Sequence, residues 1–403
     1  MSHAPTHSTK PQFFLSFAVL GSIVPFASVL LDERGFSKAQ IGTAWAVQSV
    51  AVVVTPIVVT LLADLSVPAR ALLGGLFALA GLSLAGWAGA SSFWPIIVFY
   101  ALHNVALQPV FPLQDGVFFA SQAVRRAAGL KEVAYPRVRV MGTIGYILPS
   151  VMLYVWMRSG GSMTPILGCG ILFCAISAAY ALLWLPGMPP GARAGGEGAK
   201  GRLPTFAAAR VLAEPHVLVF CVAVFLLTTA TQAYYVFYPL HLTERCGVVG
   251  RDVGLLVNVG TAGEIAYMYA FVWLARVMTV RRLMYVGALA ATVRYALLGV
   301  SGSTTVAVVT QALHGLMILA TGVVPPIFLN ARATDAYRNS MQGLYTMLVI
   351  GGAKVIGSQV FGRIAEHGLG PVFYVAAGLC LIATVLLYFA FHETPPGSAS
   401  RTA

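Results

Sequence analysis

Long apolar segments alternate with short polar ones from one end of the chain to the other. Each apolar segment holds about 20 residues, the length at which an α-helix crosses the hydrocarbon core of a bilayer. Charged residues and turns rich in Gly and Pro separate the segments, which predicts membrane-spanning helices joined by short loops. The twelve predicted spans are 12–31, 40–62, 71–89, 94–120, 137–157, 164–186, 217–241, 252–275, 283–300, 305–328, 340–362 and 371–391.

The predicted spans form two groups of six. Between the groups, the Gly, Pro and Ala content of residues 187–215 is typical of a linker. The groups also match each other, since RVMGT at Arg139 aligns with KVIGS at Lys354 in the same span order. We therefore predict an all-α membrane protein with twelve transmembrane helices in two pseudo-symmetric six-helix bundles. The bundles are expected at 1–186 and 216–403, with a cytoplasmic linker at 187–215 and a central cavity between the halves.

Composition and charge agree with a membrane location. Hydrophobic residues make up 58% of the chain and charged residues 9%, against about 25% charged residues in soluble domains. The net charge of +12 would suit nucleic acid in a soluble protein, but here the Lys and Arg residues fall mainly in alternate loops. That bias is the positive-inside signal of an inner-membrane protein and predicts that both termini are cytoplasmic. We expect no nucleic-acid partner.

Several kinds of chemistry have no signature in this sequence. The five cysteines show no CxxC or Cys/His spacing, which argues against a zinc site or a disulfide framework. No GxxxxGK[ST] phosphate loop occurs, and neither HExxH nor GxSxG is present. These absences disfavour an ATP-driven pump and an enzyme, and we expect neither a cofactor nor a metal. The pattern favours a monomeric secondary transporter of a small solute.

Among the charged residues inside predicted spans, four stand out at membrane depth, where a charge costs at least about 2.5 kcal/mol and therefore needs a partner, a wet cavity or a task. They are Asp115, Arg139, Glu264 and Lys354. One interpretation is structural: two acids and two bases form buried ion pairs that hold the halves in register. The functional interpretation makes Glu264 the group that exchanges a proton as its surroundings alternate between wet and dry, with Asp115 as a second candidate for proton coupling.

Uncharged polar residues concentrate on the fourth and seventh spans. Gln232 and Tyr235 are the best candidates for substrate binding, because an amide and a ring together can hold an amphipathic solute. Gln108 and His314 are weaker candidates, and interhelical hydrogen bonding explains such residues equally well. Arg294 lies nearer one end of the ninth span, where we expect it to snorkel to the interface in a structural role.

Several motifs resemble the major facilitator superfamily, in the branch of phenylpropionate permeases and nucleoside:proton symporters. They are PFASVLLDERGFSKAQIG, PVFPLQDG, YPRVRVMGTIGYI, QAYYVF, AGEIAY and SMQGLYTMLVIGGAKVIGS. The resemblance covers nearly the whole chain and is most specific from Arg139 to Tyr146. It implies the major facilitator fold and proton-coupled uptake by alternating access, with Arg139, Thr143, Tyr146 and Glu264 as cavity residues.

The resemblance leaves the substrate open. Nucleoside symporters of this branch carry an acid in the tenth span that suits sugar hydroxyls, whereas the matching stretch here, HGLMILATG, has none. Two cations, Arg139 and Lys354, would instead suit a carboxylate. We therefore expect a small organic acid, aromatic or otherwise, with a nucleoside as the alternative. An efflux antiporter and a non-transporting membrane sensor are further alternatives, but the sequence lacks the Gly-Pro-rich fifth span of the former and the soluble domain of the latter.

Overall fold

The computed structural model describes residues 6–64, 67–131, 133, 135–159, 165–185, 204–334 and 338–392. Most of those residues are helical, and none of them lies in a strand. Eleven of the helices are long and apolar enough to cross a membrane. Their bounds are Thr9–Glu33, Ala69–Gly89, Phe93–Ala127, Arg137–Arg158, Pro165–Trp184, Pro215–Arg245, Gly250–Val277, Val280–Val300, Thr304–Asn330, Ser340–Ala365 and Leu369–Ala390.

Each of these helices coincides with a predicted span, and the second predicted span coincides with the helix Lys38–Asp64. We number the twelve in chain order. The predicted all-α membrane fold is therefore confirmed. A further helix, Pro204–Leu212, lies within the predicted linker, whose residues 187–203 are outside the described part of the chain.

Proline interrupts two of the spans. The first span runs as a helix to Ile23, turns, and resumes over Ala27–Glu33, with Pro25 in the turn. The fourth span breaks at Gln108 and Pro109, between Phe93–Leu107 and Val110–Ala127. Proline lacks the N–H that an α-helix requires and disfavours helical geometry at the preceding residue, which accounts for both breaks.

The chain divides into two compact units, and the first holds most of the N-terminal half. It comprises Met1–Gly35, Val50–Gly198 and Gly250–Leu255. Its first, fourth and fifth spans meet in a hydrophobic cluster of Phe13, Phe118 and Val138. This cluster anchors the segments that carry Asp115 and Arg139.

The second unit holds most of the C-terminal half, together with the start of the second helix. It comprises Phe36–Ser49, Ala199–Val249 and Leu256–Ala403. Its tenth span is not a regular α-helix: a 3₁₀ turn at Thr310–Leu313 and a π-helical turn at Leu319–Val323 interrupt it. Such irregular turns inside long helices often accompany functional sites. The bundle boundaries that the sequence predicts, at residues 186 and 216, stay a prediction.

Candidate functional site

A chain of hydrogen-bonded polar side chains lies inside the second unit. Glu264 of the eighth span accepts from His314 of the tenth, with 2.8 Å between Glu264 Oε1 and His314 Nε2. The other ring nitrogen, His314 Nδ1, lies 2.5 Å from a terminal nitrogen of Arg294 in the ninth span. The second terminal nitrogen of Arg294 donates to Gln311 Oε1 at 2.5 Å, and the Gln311 amide donates to Tyr234 OH at 3.3 Å. The chain thus joins four spans.

Local geometry of the tenth span places Gln311 and His314 side by side. In a 3₁₀ turn, side chains three residues apart lie almost above one another. The turn at Thr310–Leu313 therefore points both side chains at the same neighbour. The planar guanidinium of Arg294 offers two parallel donors at the matching spacing.

Two glycines allow the eighth and tenth spans to approach closely around this chain. A Cβ at Gly260 would lie 2.6 Å from Gln311 Oε1, and a Cβ at Gly315 would lie 2.0 Å from a ring carbon of Tyr267. Tyr267 in turn donates from its hydroxyl to the Ala312 carbonyl at 2.8 Å. No larger residue fits at either glycine without moving its neighbour, so the two spans form a tight contact beside Glu264.

Arg294 is fully buried, at 0% exposure. Its guanidinium carbon lies 4.3 Å from the centre of the Tyr234 ring, which gives it a cation–π contact in addition to its hydrogen bonds. The sequence-based expectation that Arg294 snorkels to the interface is therefore wrong. Aromatic and polar partners inside the unit satisfy the cation where it lies, so the side chain does not need to reach water.

The partners of His314 determine its tautomer. Arginine has no acceptor and keeps its charge, so His314 Nδ1 must accept from it and carries no proton. Nε2 then holds the ring proton and donates it to Glu264. An imidazolium would put two N–H groups against each other at Arg294, so this arrangement holds His314 neutral. Glu264 keeps 22% of its side chain exposed, whereas His314 keeps 1%.

The predicted candidates in the first unit lie on the fourth and fifth spans. The Arg139 guanidinium lies over the Phe17 ring, with 4.1 Å between its carbon and the ring centre. Asp115 accepts from the Tyr135 hydroxyl at 2.9 Å and is close enough to Arg139 for electrostatic attraction. The remaining candidates in this unit are partly exposed; they are Gln108, Thr143 and Tyr146.

The predicted candidates on the seventh and eleventh spans differ in their burial and in the contacts of their polar groups. Gln232 is 2% exposed, and its Oε1 accepts from Ser358 at 3.3 Å, which joins the two spans. Tyr235 is half-buried, with its ring centre 6.4 Å from that of His314. Lys354 is also half-buried, and among the described residues no carboxylate lies within ion-pair distance of it.

The structure therefore brings together Glu264, His314 and Tyr235 from the predicted set and adds residues that were not in it. Sequence reasoning missed Arg294 and Tyr234 as members of the chain. One signal was available in the sequence. Arg294 is a lone arginine inside an apolar span, and His314 follows it twenty residues later in the next span. What the sequence did not reveal was the 3₁₀ turn that aims His314 and Gln311 at Arg294.

Comparison with known proteins gives related transporters along nearly the whole chain. The family model described as nucleoside H+ symporter matches residues 9–395. YegT of Escherichia coli (strain K12), provisionally named as a nucleoside transporter, is 27% identical over 83% of this chain and 79% of its own length. A protein of the same strain, provisionally named as a 3-phenylpropionic acid transporter, is 23% identical over 93% of this chain and 95% of its own length.

The fold is also that of a solved transporter. The crystal structure of the nucleoside transporter NupG superposes with a TM-score of 0.84, covering 97% of this chain and 100% of that one at 19% identity. That likeness shows the major facilitator fold predicted from the sequence. The resemblance to the branch of phenylpropionate permeases and nucleoside:proton symporters is confirmed as well. The chain is a multi-pass membrane transporter, not an enzyme, and it belongs to the nucleoside H+ symporter family.

Proposed function

We propose that this proton-coupled transporter imports a nucleoside, with Glu264 as the carboxyl that takes up and releases the coupling proton. The observation that carries the proposal is the hydrogen bond from buried His314 to partly exposed Glu264, at membrane depth, in a member of the nucleoside H+ symporter family. A carboxylate in that position can bind a proton when water reaches it and lose the proton when the surroundings change. Alternating access supplies that change.

We propose substrate contacts in each unit separately. In the first unit, the Arg139 fork and the Thr143 hydroxyl can hydrogen-bond the base or the ribose, and Tyr146 offers a ring for stacking. In the second unit, the half-buried Tyr235 lies beside the His314 ring and supplies a second aromatic surface. Gln232 contributes by fixing the seventh span to Ser358. A nucleoside needs this mixture, since it has a flat base and a sugar rich in hydroxyls.

An aromatic carboxylate is the second candidate substrate. Lys354 has no carboxylate partner among the described residues, and a cation without a counter-ion at membrane depth suits an anionic solute. The relative named as a 3-phenylpropionic acid transporter fits the same idea. On this alternative, Arg139 in the first unit can bind a carboxylate through two parallel hydrogen bonds, and Lys354 in the second unit can attract one by its charge.

Uptake into proteoliposomes tests both candidates. Purified protein would be given radiolabelled adenosine, uridine or 3-phenylpropionate, with and without an imposed inward proton gradient. We expect nucleoside accumulation only with the gradient, and its loss in Glu264→Gln with binding retained. Accumulation of 3-phenylpropionate but of neither nucleoside would favour the second candidate. Gradient-driven accumulation by Glu264→Gln would remove Glu264 from the coupling role.

The remaining parts of the proposal concern placement in the cell. We place the protein in the inner membrane with both termini in the cytoplasm, because Lys and Arg concentrate in the loops on that side. We expect it to be a monomer. A single cysteine introduced near either terminus, in a variant whose five native cysteines are replaced, would test the orientation in sealed, right-side-out vesicles. Labelling by a membrane-impermeant reagent would contradict it.

A further inference from the structure

Arg294 is a buried cation for which the proposed transport mechanism has so far assigned no role. At 0% exposure it cannot be solvated where it lies, and burying an uncompensated cation is costly. Among the described residues, no carboxylate lies within ion-pair distance of it. Its hydrogen bonds go to His314 and Gln311, and its Nε has no hydrogen-bond partner there.

The negative charge that compensates Arg294 is one imidazole away. Arg294 donates to His314 Nδ1, and His314 Nε2 donates to Glu264. Both bonds run in the same direction, from cation to carboxylate, and the neutral ring polarises along that direction. The three side chains together carry no net charge when Glu264 is ionised.

We propose that Arg294 is a positioning residue for proton coupling: acting through a neutral His314, it is the counter-charge of Glu264. This inference rests on the proposed role of Glu264. The ring of His314 is a bridge that does not itself carry the coupling proton, because one nitrogen is already protonated and the other faces the Arg294 donor.

The incoming proton therefore binds the carboxylate of Glu264. One O–H bond forms on the oxygen that His314 does not contact, and Oε1 continues to accept from the ring. The group of three changes from net zero charge to one positive charge. Arg294 is then a buried cation without compensation, which destabilises the arrangement and favours the alternate state of the transporter.

Among the described residues, the other titratable groups around the bridge are tyrosines. Tyr234 lies 4.5 Å from His314 between ring centres and Tyr235 lies 6.4 Å away, both from the seventh span. Tyr238 donates to the Ala307 carbonyl at 3.0 Å and Tyr267 to the Ala312 carbonyl, so these two hydroxyls are held neutral as donors. The tyrosines supply ring faces and hydrogen bonds, and the charge change falls on Glu264.

Thermal unfolding of charge variants tests the pairing without any transport assay. Glu264→Gln leaves Arg294 uncompensated and should lower the Tm clearly. The double variant Glu264→Gln/Arg294→Gln removes both charges and should recover at least half of that loss. Additive losses in the double variant would show that the two side chains are not paired and would overturn the inference.

Uptake by variants of His314 and Arg294 tests whether His314 stays neutral while Glu264 takes up the proton. An amide has both a donor and an acceptor but cannot take up a proton, so the uptake that remains in His314→Gln should still depend on the proton gradient. Arg294→Gln should move half-maximal uptake to about tenfold lower proton concentration, because no cation then opposes protonation of Glu264. Arg294→Lys keeps the charge and should restore part of the wild-type pH profile.

Two results would overturn the proposal. One is loss of proton coupling in His314→Gln while substrate still binds, which would make the ring the proton carrier. The other is a pH profile of Arg294→Gln that superimposes on the wild type. If the wild type itself shows no proton-coupled uptake, the proposed function fails, whereas the unfolding experiment still decides whether Arg294 and Glu264 are paired.

Discussion

Glu264 and Asp115 are both carboxyls at membrane depth, but their surroundings give them different chemistry. Asp115 accepts one hydrogen bond from the Tyr135 hydroxyl and is attracted by Arg139 directly. Glu264 accepts from a histidine that is itself bonded to a fully buried arginine. A change of charge at Glu264 is therefore transmitted to a cation that has no water to solvate it, whereas a change at Asp115 is felt by partly exposed groups.

We expect Asp115→Asn to retain gradient-driven accumulation, with a rate reduced by no more than about tenfold, because the amide oxygen still accepts from Tyr135. Glu264→Gln should abolish accumulation while leaving exchange of substrate across the membrane intact. Paired measurements of net uptake and of counterflow in proteoliposomes distinguish the two effects. If Asp115→Asn lost accumulation but kept counterflow, Asp115 would be the coupling carboxyl.

Between helices, the tight contact of the eighth and tenth spans aligns the site. Gly260 and Gly315 let the backbones approach until Gln311 and Tyr267 fill the space, and van der Waals packing of this kind is what holds membrane helices together. Because the backbones are close, the side chains of Glu264 and His314 can span the distance between them and form a hydrogen bond.

Gly260→Ala should disturb the site, whereas Gly263→Ala, three residues along the same helix, should not. The added methyl group at 260 would lie 2.6 Å from Gln311 Oε1, while nothing lies within 4 Å of the corresponding position at 263. Both changes replace a helical glycine by alanine and gain the same helix propensity, so this gain does not contribute to the difference between the two variants. We expect Gly260→Ala to lose about 1–3 kcal/mol of stability and to slow uptake. Thermal unfolding in detergent and initial uptake rates, measured on both variants, would show this difference; equal behaviour would contradict it.

The helices could be predicted from the sequence, but much of the contact pattern between them could not. A span shows itself as about 20 consecutive apolar residues, a property of the local chain. Arg294 seemed able to snorkel because its distance from the helix end was all that the sequence offered. Its actual partners depend on a 3₁₀ turn in another span and on a glycine-permitted approach between spans. Glu264 could be predicted because an isolated acid in an apolar span is costly wherever its neighbours lie.

Over the whole chain, the helix Lys38–Asp64 is distinctive because its first residues cluster with the second unit and residues from Val50 on with the first. Within the second unit, Lys38 forms an ion pair with Glu244, and the Ala39 N–H donates to Glu366 Oε1 at 2.7 Å. A Cβ at Gly42 would lie 2.4 Å from the Ser358 carbonyl oxygen. The start of this helix is thus joined to the seventh span by an ion pair, to the eleventh span by packing, and to Glu366 just beyond that span by a hydrogen bond.

Glu366 lies beyond the end of the eleventh span, and hydrogen bonds from the Ala39 N–H and the Ser37 side chain hold its pKa below the ordinary carboxyl range. A carboxyl with a lowered folded-state pKa stabilises its contacts at every pH above the ordinary value and loses that effect only as the pH falls through the lowered one. The contact between Glu366 and the start of the second helix should therefore stay intact at every pH above the ordinary carboxyl pKa.

Hydrogen exchange of the Ala39 amide can test the pH range over which this contact holds. After correction for intrinsic exchange rates, we expect constant protection in the wild type from pH 8 to about pH 5, with a fall only in stronger acid. Glu366→Gln keeps an acceptor for the amide and should show partial protection at neutral pH without the fall in acid, because nothing there titrates. Glu366→Ala removes the acceptor and should lose protection at every pH. Protection in the wild type that declined between pH 8 and 6, in step with uptake, would instead make the attachment of this helix part of the proton-coupled cycle.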